Sequence, residues 1–310
     1  MGTEKQVNKI QRMYLIKKIK KDKPFYIMFL PVTIFLIIFH YLPMVGLINS
    51  LYEYTQFKRE FIGLANFQDL FFGVRSTGFW RAFVNTITIS LTNLVLGTIL
   101  SVIIALLLNE LIILRFKKFT QTVLYLPHFL SWIVAASIFT IILSPVDGFV
   151  NNIRGVFGQE PIYYLAEEKW WQPIFYILYR WKETGWGTII YLAALSSINP
   201  EMYEAAIIDG ANRWQQTLYI TIPSLTTTIL IVFILHLGRV MYIFESVFAL
   251  QNPNVFAVSD VLQTFAFRIG IENSEYGMGT AISFCASIIG LVLVLITNKI
   301  NKKFRGSSLL

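Results

Sequence analysis

Read for polarity alone, the chain is a succession of long apolar runs separated by shorter polar breaks. The runs fall at about residues 25–50, 83–109, 120–143, 172–198, 219–250 and 280–300. Each is long enough, as a helix rising about 1.5 Å per residue, to cross the ~30 Å hydrocarbon layer of a bilayer. Strands are excluded as the spanning unit. The alternation of apolar and polar positions over about ten residues that marks a membrane barrel is missing, and lipid offers an open strand edge no hydrogen-bonding partner. The pattern therefore predicts an all-α membrane protein with six transmembrane helices. The fourth run is interrupted by YRWKETGWG, which puts Arg180, Lys182 and Glu183 in one turn near one end of the span, within reach of an interface or a watery cavity.

Composition supports the bilayer as solvent. Of 310 residues, 55% are hydrophobic and 14% charged, with a mean hydropathy of +0.59; a soluble domain carries about 25% charged residues. The net charge of +8 would suit nucleic acid in a soluble chain. Here the basic residues cluster beside apolar runs, as topology signals do, so no nucleic-acid partner is expected.

Six spans place both ends on one side, and the positive-inside rule chooses which. Lys and Arg number eight in the N-terminal tail, three in the 110–120 loop, one between the fourth and fifth runs (Arg213) and four at the C-terminal end, against seven in the other three connections. Both termini are thus expected in the cytoplasm. The basic start leads into an apolar run too long for a signal peptide and without a small-residue cleavage pattern, so it should remain as the first span. The resulting division is a basic cytoplasmic tail at 1–24, a transmembrane domain at 25–300 and a second cytoplasmic tail at 301–310. The outer connections, roughly 51–82, 144–171 and 251–279, are too short for a catalytic domain. Their aromatic and charged residues suit either a docking surface or an interfacial aromatic belt.

Catalytic chemistry finds little support. The phosphate cradle G-x-x-x-x-G-K-[ST] is missing, and YGMGTAIS (276–283) lacks the preceding strand and third glycine of a dinucleotide site, so it reads as the start of a helix. His40, His128 and His236 are far apart, no H-E-x-x-H pair or G-x-S-x-G elbow occurs, and Cys285 is the lone cysteine. Neither a catalytic constellation nor a metal site is expected. His128, near the start of the third run, reads as a helix-packing or interfacial residue, with a proton-relay or substrate role as the competing reading; Trp132 reads as packing.

One cytoplasmic segment departs from this pattern: INPEMYEAAIIDGANRWQQTLYITIP, residues 198–223. Asn199 is a good N-cap, with Pro200 at the first helical position and Glu201 in the first turn. A short helix should start there, end or bend at Gly210, and lead through a second short helix to Pro223. Spacing alone leaves two readings, an amphipathic loop lying on headgroups or a knob with a small-residue face.

This segment resembles the signature of the permease subunits of binding-protein-dependent (type I) ABC importers: E-A-A, three residues, G, nine residues, I-x-[L/I]-P. Glu204, Ala205, Ala206, Gly210, Ile220, Ile222 and Pro223 match, with Ile222 where leucine is commoner. WKETGWGTIIYLAALSSINPEMYEAAIIDGA is similar to the carbohydrate-uptake branch, the likeness extending over about residues 20–305. The resemblance implies a coupling segment at 200–218 in which Glu204, Ala205, Ala206, Asp209 and Gly210 dock on a cytoplasmic ATPase. It also implies a second homologous permease subunit, two ABC ATPase subunits and an extracellular solute-binding protein. ATP and Mg would be held by the partner ATPase, with no cofactor on this chain. The implied function is import of a sugar, an oligosaccharide above all.

Sugars are recognised by aromatic faces and hydrogen-bonding groups. Tyr179, Trp181 and Trp186 recur about the polar turn of the fourth run. Arg239, Tyr242 and Glu245 follow at three-residue intervals in the fifth and are expected on one face of a continuous helix. These six are candidate pathway residues. An interhelical ion pair, or a junction with a partner permease, is the competing reading for Arg239 and Glu245. At the level of function the alternatives are a permease for a non-sugar solute and a transporter driven by an ion gradient.

Overall fold

The computed structural model describes residues 21–305. The N-terminal tail expected at 1–24 lies outside the described residues up to position 20, and the C-terminal tail expected at 301–310 does so from 306. The chain opens with α1 (Lys23–Leu51), followed by a hairpin of β1 (Tyr52–Tyr54) and β2 (Arg59–Phe61). Then come α2 (Ala65–Phe72) and the long α3 (Ser76–Glu110). A bent pair follows, α4 (Leu114–Phe129) and α5 (Trp132–Ile142), then a short α6 (Phe149–Val156) and α7 (Glu168–Leu195). The last part holds α8 (Pro200–Ile208), α9 (Arg213–Leu237), α10 (Glu245–Leu250), α11 (Leu262–Phe267) and α12 (Tyr276–Arg305).

Six straight apolar spans are not what forms. Among the described residues four helices are long and apolar enough to cross a membrane: α1, α3, α9 and the Tyr276–Lys299 portion of α12. The third run is a broken fifth, bent by 101° between α4 and α5. Pro127 removes a backbone donor there, and Ser131 starts a new helix by accepting from the Val134 N–H at 3.3 Å. α7, at 28 residues, is long enough at about 42 Å. The charges of YRWKETGWG keep it from being apolar in the same sense.

The fifth run also departs from expectation. It begins as helix at Arg213, so the expected second short helix is the start of this span, and it stops at Leu237 where 219–250 was predicted to continue. Gly238 and Arg239 end it; Val240–Tyr242 is a single 3-10 turn, and Glu245 opens α10. Val240, Met241, Val247 and Leu250 are buried against other helices. Their apolarity serves the protein interior, which hydropathy cannot tell from lipid.

α3 is the spine of the molecule. Its inward face contributes Phe79, Ala82 and Leu94 to a cluster with α11 and α12, Ile89 to a second with α5, α7 and α10, and Ala105 to a third with α7 and α9. The same face carries polar groups that meet distant backbone. Asn85 donates to the carbonyls of Ala257 and Asp260, both at 3.1 Å, and the Thr86 hydroxyl accepts from the Leu262 N–H at 2.8 Å. α7 lies along α3 and approaches α4 so closely at Gly185 that a Cβ there would come within 1.9 Å of the Leu124 carbonyl oxygen.

At the hairpin end, β1 and β2 pair Glu53 directly with Glu60, a repulsive cross-strand arrangement. Lys58 resolves it by reaching both carboxylates, at 2.6 and 2.9 Å. Those hydrogen bonds push its own pKa up to about 12. Arg75 bridges Asp69 (2.5 Å) and Glu275 (2.6 Å), tying α2 to the start of α12.

Candidate functional site

A cavity of about 700 Å³ opens between α3, α5, α7, α9 and the turns that follow α9. α3 supplies Ser90, Asn93, Gly97 and Ser101, spaced three or four apart and so on one face. Buried polar atoms of Ser90, Asn93, Arg180 and Tyr191, all lining this space, have no hydrogen-bond partner among the described residues. Buried polar groups are normally paired, so a wall of orphaned ones marks a place where water or a hydroxylated ligand completes the bonding.

α7 furnishes the aromatic and charged wall through Tyr179, Arg180, Glu183, Trp186 and Tyr191. Tyr179 packs on Trp132 at 4.9 Å between ring centres, and the Arg180 guanidinium sits 4.7 Å from the Tyr179 ring. Glu183 is held at both oxygens, by His128 Nδ1 at 3.0 Å and Lys182 Nζ at 3.2 Å. Lys182 turns away from the cavity, donating to the His128 carbonyl at 2.8 Å with its ammonium 4.8 Å from the Trp132 ring. The His128 imidazole stacks flat on Trp186, 4.5 Å between centres. His128 and Trp132, expected to be packing residues, do pack, and Trp132 lines the cavity as well.

Five of the six candidate pathway residues line this one space: Tyr179, Trp186, Arg239, Tyr242 and Glu245. The last three do not share a helical face as expected, because they lie on the turn after α9, a 3-10 turn and the start of α10. Trp181 is the exception. It is one residue, about 100°, round the helix from the cavity-facing Arg180, and packs on Phe139 at 5.7 Å with 40% of its surface exposed. Ser90, Asn93 and Ser101 were not anticipated, although small polar residues at helical spacing in an apolar run are a readable signal. Glu183 was noticed only as a charge, its partner His128 lying 55 positions away.

Just beyond the C-terminal end of α7 lies the 200–218 segment. The Asn199 side chain accepts from the Glu201 N–H at 3.1 Å, and α8 runs from Pro200. Gly210 adopts φ +81°, the left-handed conformation that suits glycine at a helix C-terminus. Asn212 and Gln215 form a capping box that starts α9. No residue of α8 is buried, and Ile207, Ile208 and Trp214 are exposed. Two contacts tie the segment to the spans: Tyr203 to the Thr221 hydroxyl at 2.9 Å, and Arg213 to Glu110, the last residue of α3, at 2.8 Å. Glu204, Ala205, Asp209 and Gly210 are exposed, with Ala206 partly covered.

Residues 97–306 match the family described as binding-protein-dependent transport system inner membrane component. The chain belongs to that family. As such a component it is a multi-pass membrane protein, and its relatives are permeases over nearly their whole length. The polygalacturonan/rhamnogalacturonan transport system permease protein YteP of Bacillus subtilis (strain 168) is 35% identical over 301 residues, 96% of this chain and 93% of that protein. Protein LplB of the same organism is 34% identical, over 92% and 91% of the two chains. Among solved structures, a chain of a bacterial alginate ABC transporter in complex with an alginate pentasaccharide-bound periplasmic protein superposes with TM-score 0.86 at 35% identity. It covers 94% of this permease and 99% of that chain. The type I ABC permease fold is thus established, and the family match takes in the 200–218 segment and the cavity walls of α5, α7 and α9.

Proposed function

We propose that this permease is one half of the pore of an ATP-driven importer, and that it conducts an oligosaccharide handed over by an extracellular solute-binding protein. The cavity carries the reading. It sets aromatic faces (Tyr179, Trp186, Tyr242) beside unpartnered polar groups, the combination that recognises a sugar ring and its hydroxyls. The sugar transporters among its relatives support the same cargo class. Trp181, turned away from the cavity, is left out of the pathway.

Membership of the family supports the remaining parts of this reading. A second homologous permease completes the pore, and two ABC ATPase subunits sit on the cytoplasmic side, where both termini and the 200–218 segment lie. ATP with Mg belongs to those subunits; this chain binds no cofactor and makes or breaks no covalent bond. Glu204, Ala205, Ala206, Asp209 and Gly210 form the contact with the ATPase. The two alanines allow close approach, Glu204 offers a charged partner and Gly210 the turn. ATP-driven closure of the ATPases moves α8, and the Arg213–Glu110 bridge passes that movement to α3.

The test is uptake by the assembled transporter in proteoliposomes. Gly210→Val and Glu204→Lys are expected to abolish ATP-dependent uptake while the protein still inserts in the membrane. Normal uptake by both variants would remove the coupling assignment, and uptake by the chain without ATPase subunits would replace it with a gradient-driven mechanism.

A further inference from the structure

We propose, building on the sugar-permease reading above, that the cargo is an acidic sugar whose carboxylate seats between Arg180 and Arg239. The cavity lining holds two charged side chains of each sign. Its carboxylates are Glu183 and Glu245, and its permanent cations are Arg180 and Arg239. Glu183 is already matched. Both of its oxygens are engaged, and one of its partners, Lys182, is a buried ammonium whose side chain is 5% exposed. Glu245 makes no direct ion pair with either arginine among the described residues.

The two guanidinium groups are the cavity cations without a direct ion pair, although Glu183 lies within electrostatic range of Arg180. Arg180 makes no ion pair among the described residues, and its buried Nε has no partner. It lies against the backbone of α3, where a Cβ on Gly97 would come within 2.0 Å of its Nη1. Arg239, on the turn after α9, is likewise without an ion pair among the described residues. Both arginines line the one cavity, together with His236 of α9. A charge at membrane depth is costly unless matched, and a guanidinium is matched best by a planar carboxylate that takes two of its donors. Sugar hydroxyls would satisfy the donors without answering the charge. A uronate answers both needs, its ring face resting on Tyr179 or Trp186 and its carboxylate on the arginines.

The assembled transporter, with its ATPases and binding protein, is reconstituted and offered galacturonate and mannuronate trisaccharides and their carboxyl-reduced neutral counterparts. Because the binding protein filters cargo, direct binding of the same four sugars to the transporter without it is read from quenching of tryptophan fluorescence, Trp132 and Trp186 lying in the cavity wall. Wild type is expected to import a uronate trisaccharide and to bind it more tightly than its neutral counterpart. Arg180→Gln and Arg239→Gln, compared at equal amounts in the membrane, are each expected to lower uronate uptake roughly ten-fold or more. They should also erase the binding preference, while Arg180→Lys keeps part of it. Equal binding of uronate and neutral sugars by wild type overturns the proposal and leaves the sugar reading standing. A preference that survives both glutamine variants also overturns it, and assigns the arginines to carboxylates of the partner permease. Failure of every sugar to bind or enter overturns the sugar reading beneath it.

Discussion

Gly185 shows how little room single residues have. An added methyl there meets the Leu124 backbone, which cannot swing aside as a side chain would. Gly185→Ala is therefore expected to destabilise the protein by about 1–3 kcal/mol, seen as a lower midpoint in thermal unfolding of the purified complex. The neighbouring Lys182–Glu183 pair makes a different prediction. Glu183→Gln keeps an amide oxygen within reach but leaves the buried Lys182 ammonium without its counter-charge, and should cost about 2 kcal/mol. Lys182→Met in the Glu183→Gln background should recover part of that loss, so a double-mutant cycle on the same midpoint reads the pair directly. These residues were visible in the sequence as charges inside an apolar run. Their partners were not, because His128 sits more than fifty positions away and only the packing of α7 on the α4–α5 break brings it close.

Elements differ in how plainly the sequence announces them, and the reason is locality. α8 was legible to the residue, since its signals, Asn199, Pro200 and Gly210, act within one turn. The end of α9 was not, because the residues after Gly238 stay apolar while moving from lipid to protein interior. The bend between α4 and α5 falls between these cases: Pro127 lies at it, yet a proline alone does not separate a kink from a full break. Ser131 settles it by capping α5. Ser131→Ala is expected to cost about 1 kcal/mol, measured as a fall in the unfolding midpoint that Ser131→Asp restores. The Arg213–Glu110 bridge should behave otherwise. Its side chains are 75% and 49% exposed, so its coupling energy in a double-mutant cycle should stay below about 1 kcal/mol. Loss of uptake in Glu110→Gln beyond what that allows would show that the bridge serves motion more than stability.

The whole molecule is unevenly covered. From residue 23 to 44 α1 has no buried side chain, and it joins the rest through residues 45–51 against α12 and the hairpin. Trp placed at Phe29 should be quenched by lipids with brominated acyl chains, or shielded only when a second permease is present. Trp placed at the fully buried Phe175 should be silent in both cases. At the other extreme stands α3, whose inward polar face has a further consequence for biogenesis. Asn85 and Thr86 find their partners in residues 257–262, more than 170 positions later. The Thr86 hydroxyl already donates to the Ala82 carbonyl within α3, but its free lone pair and the Asn85 amide must wait in the bilayer while most of the chain is still being made. Those groups are answered only once residues 257–262 have been made.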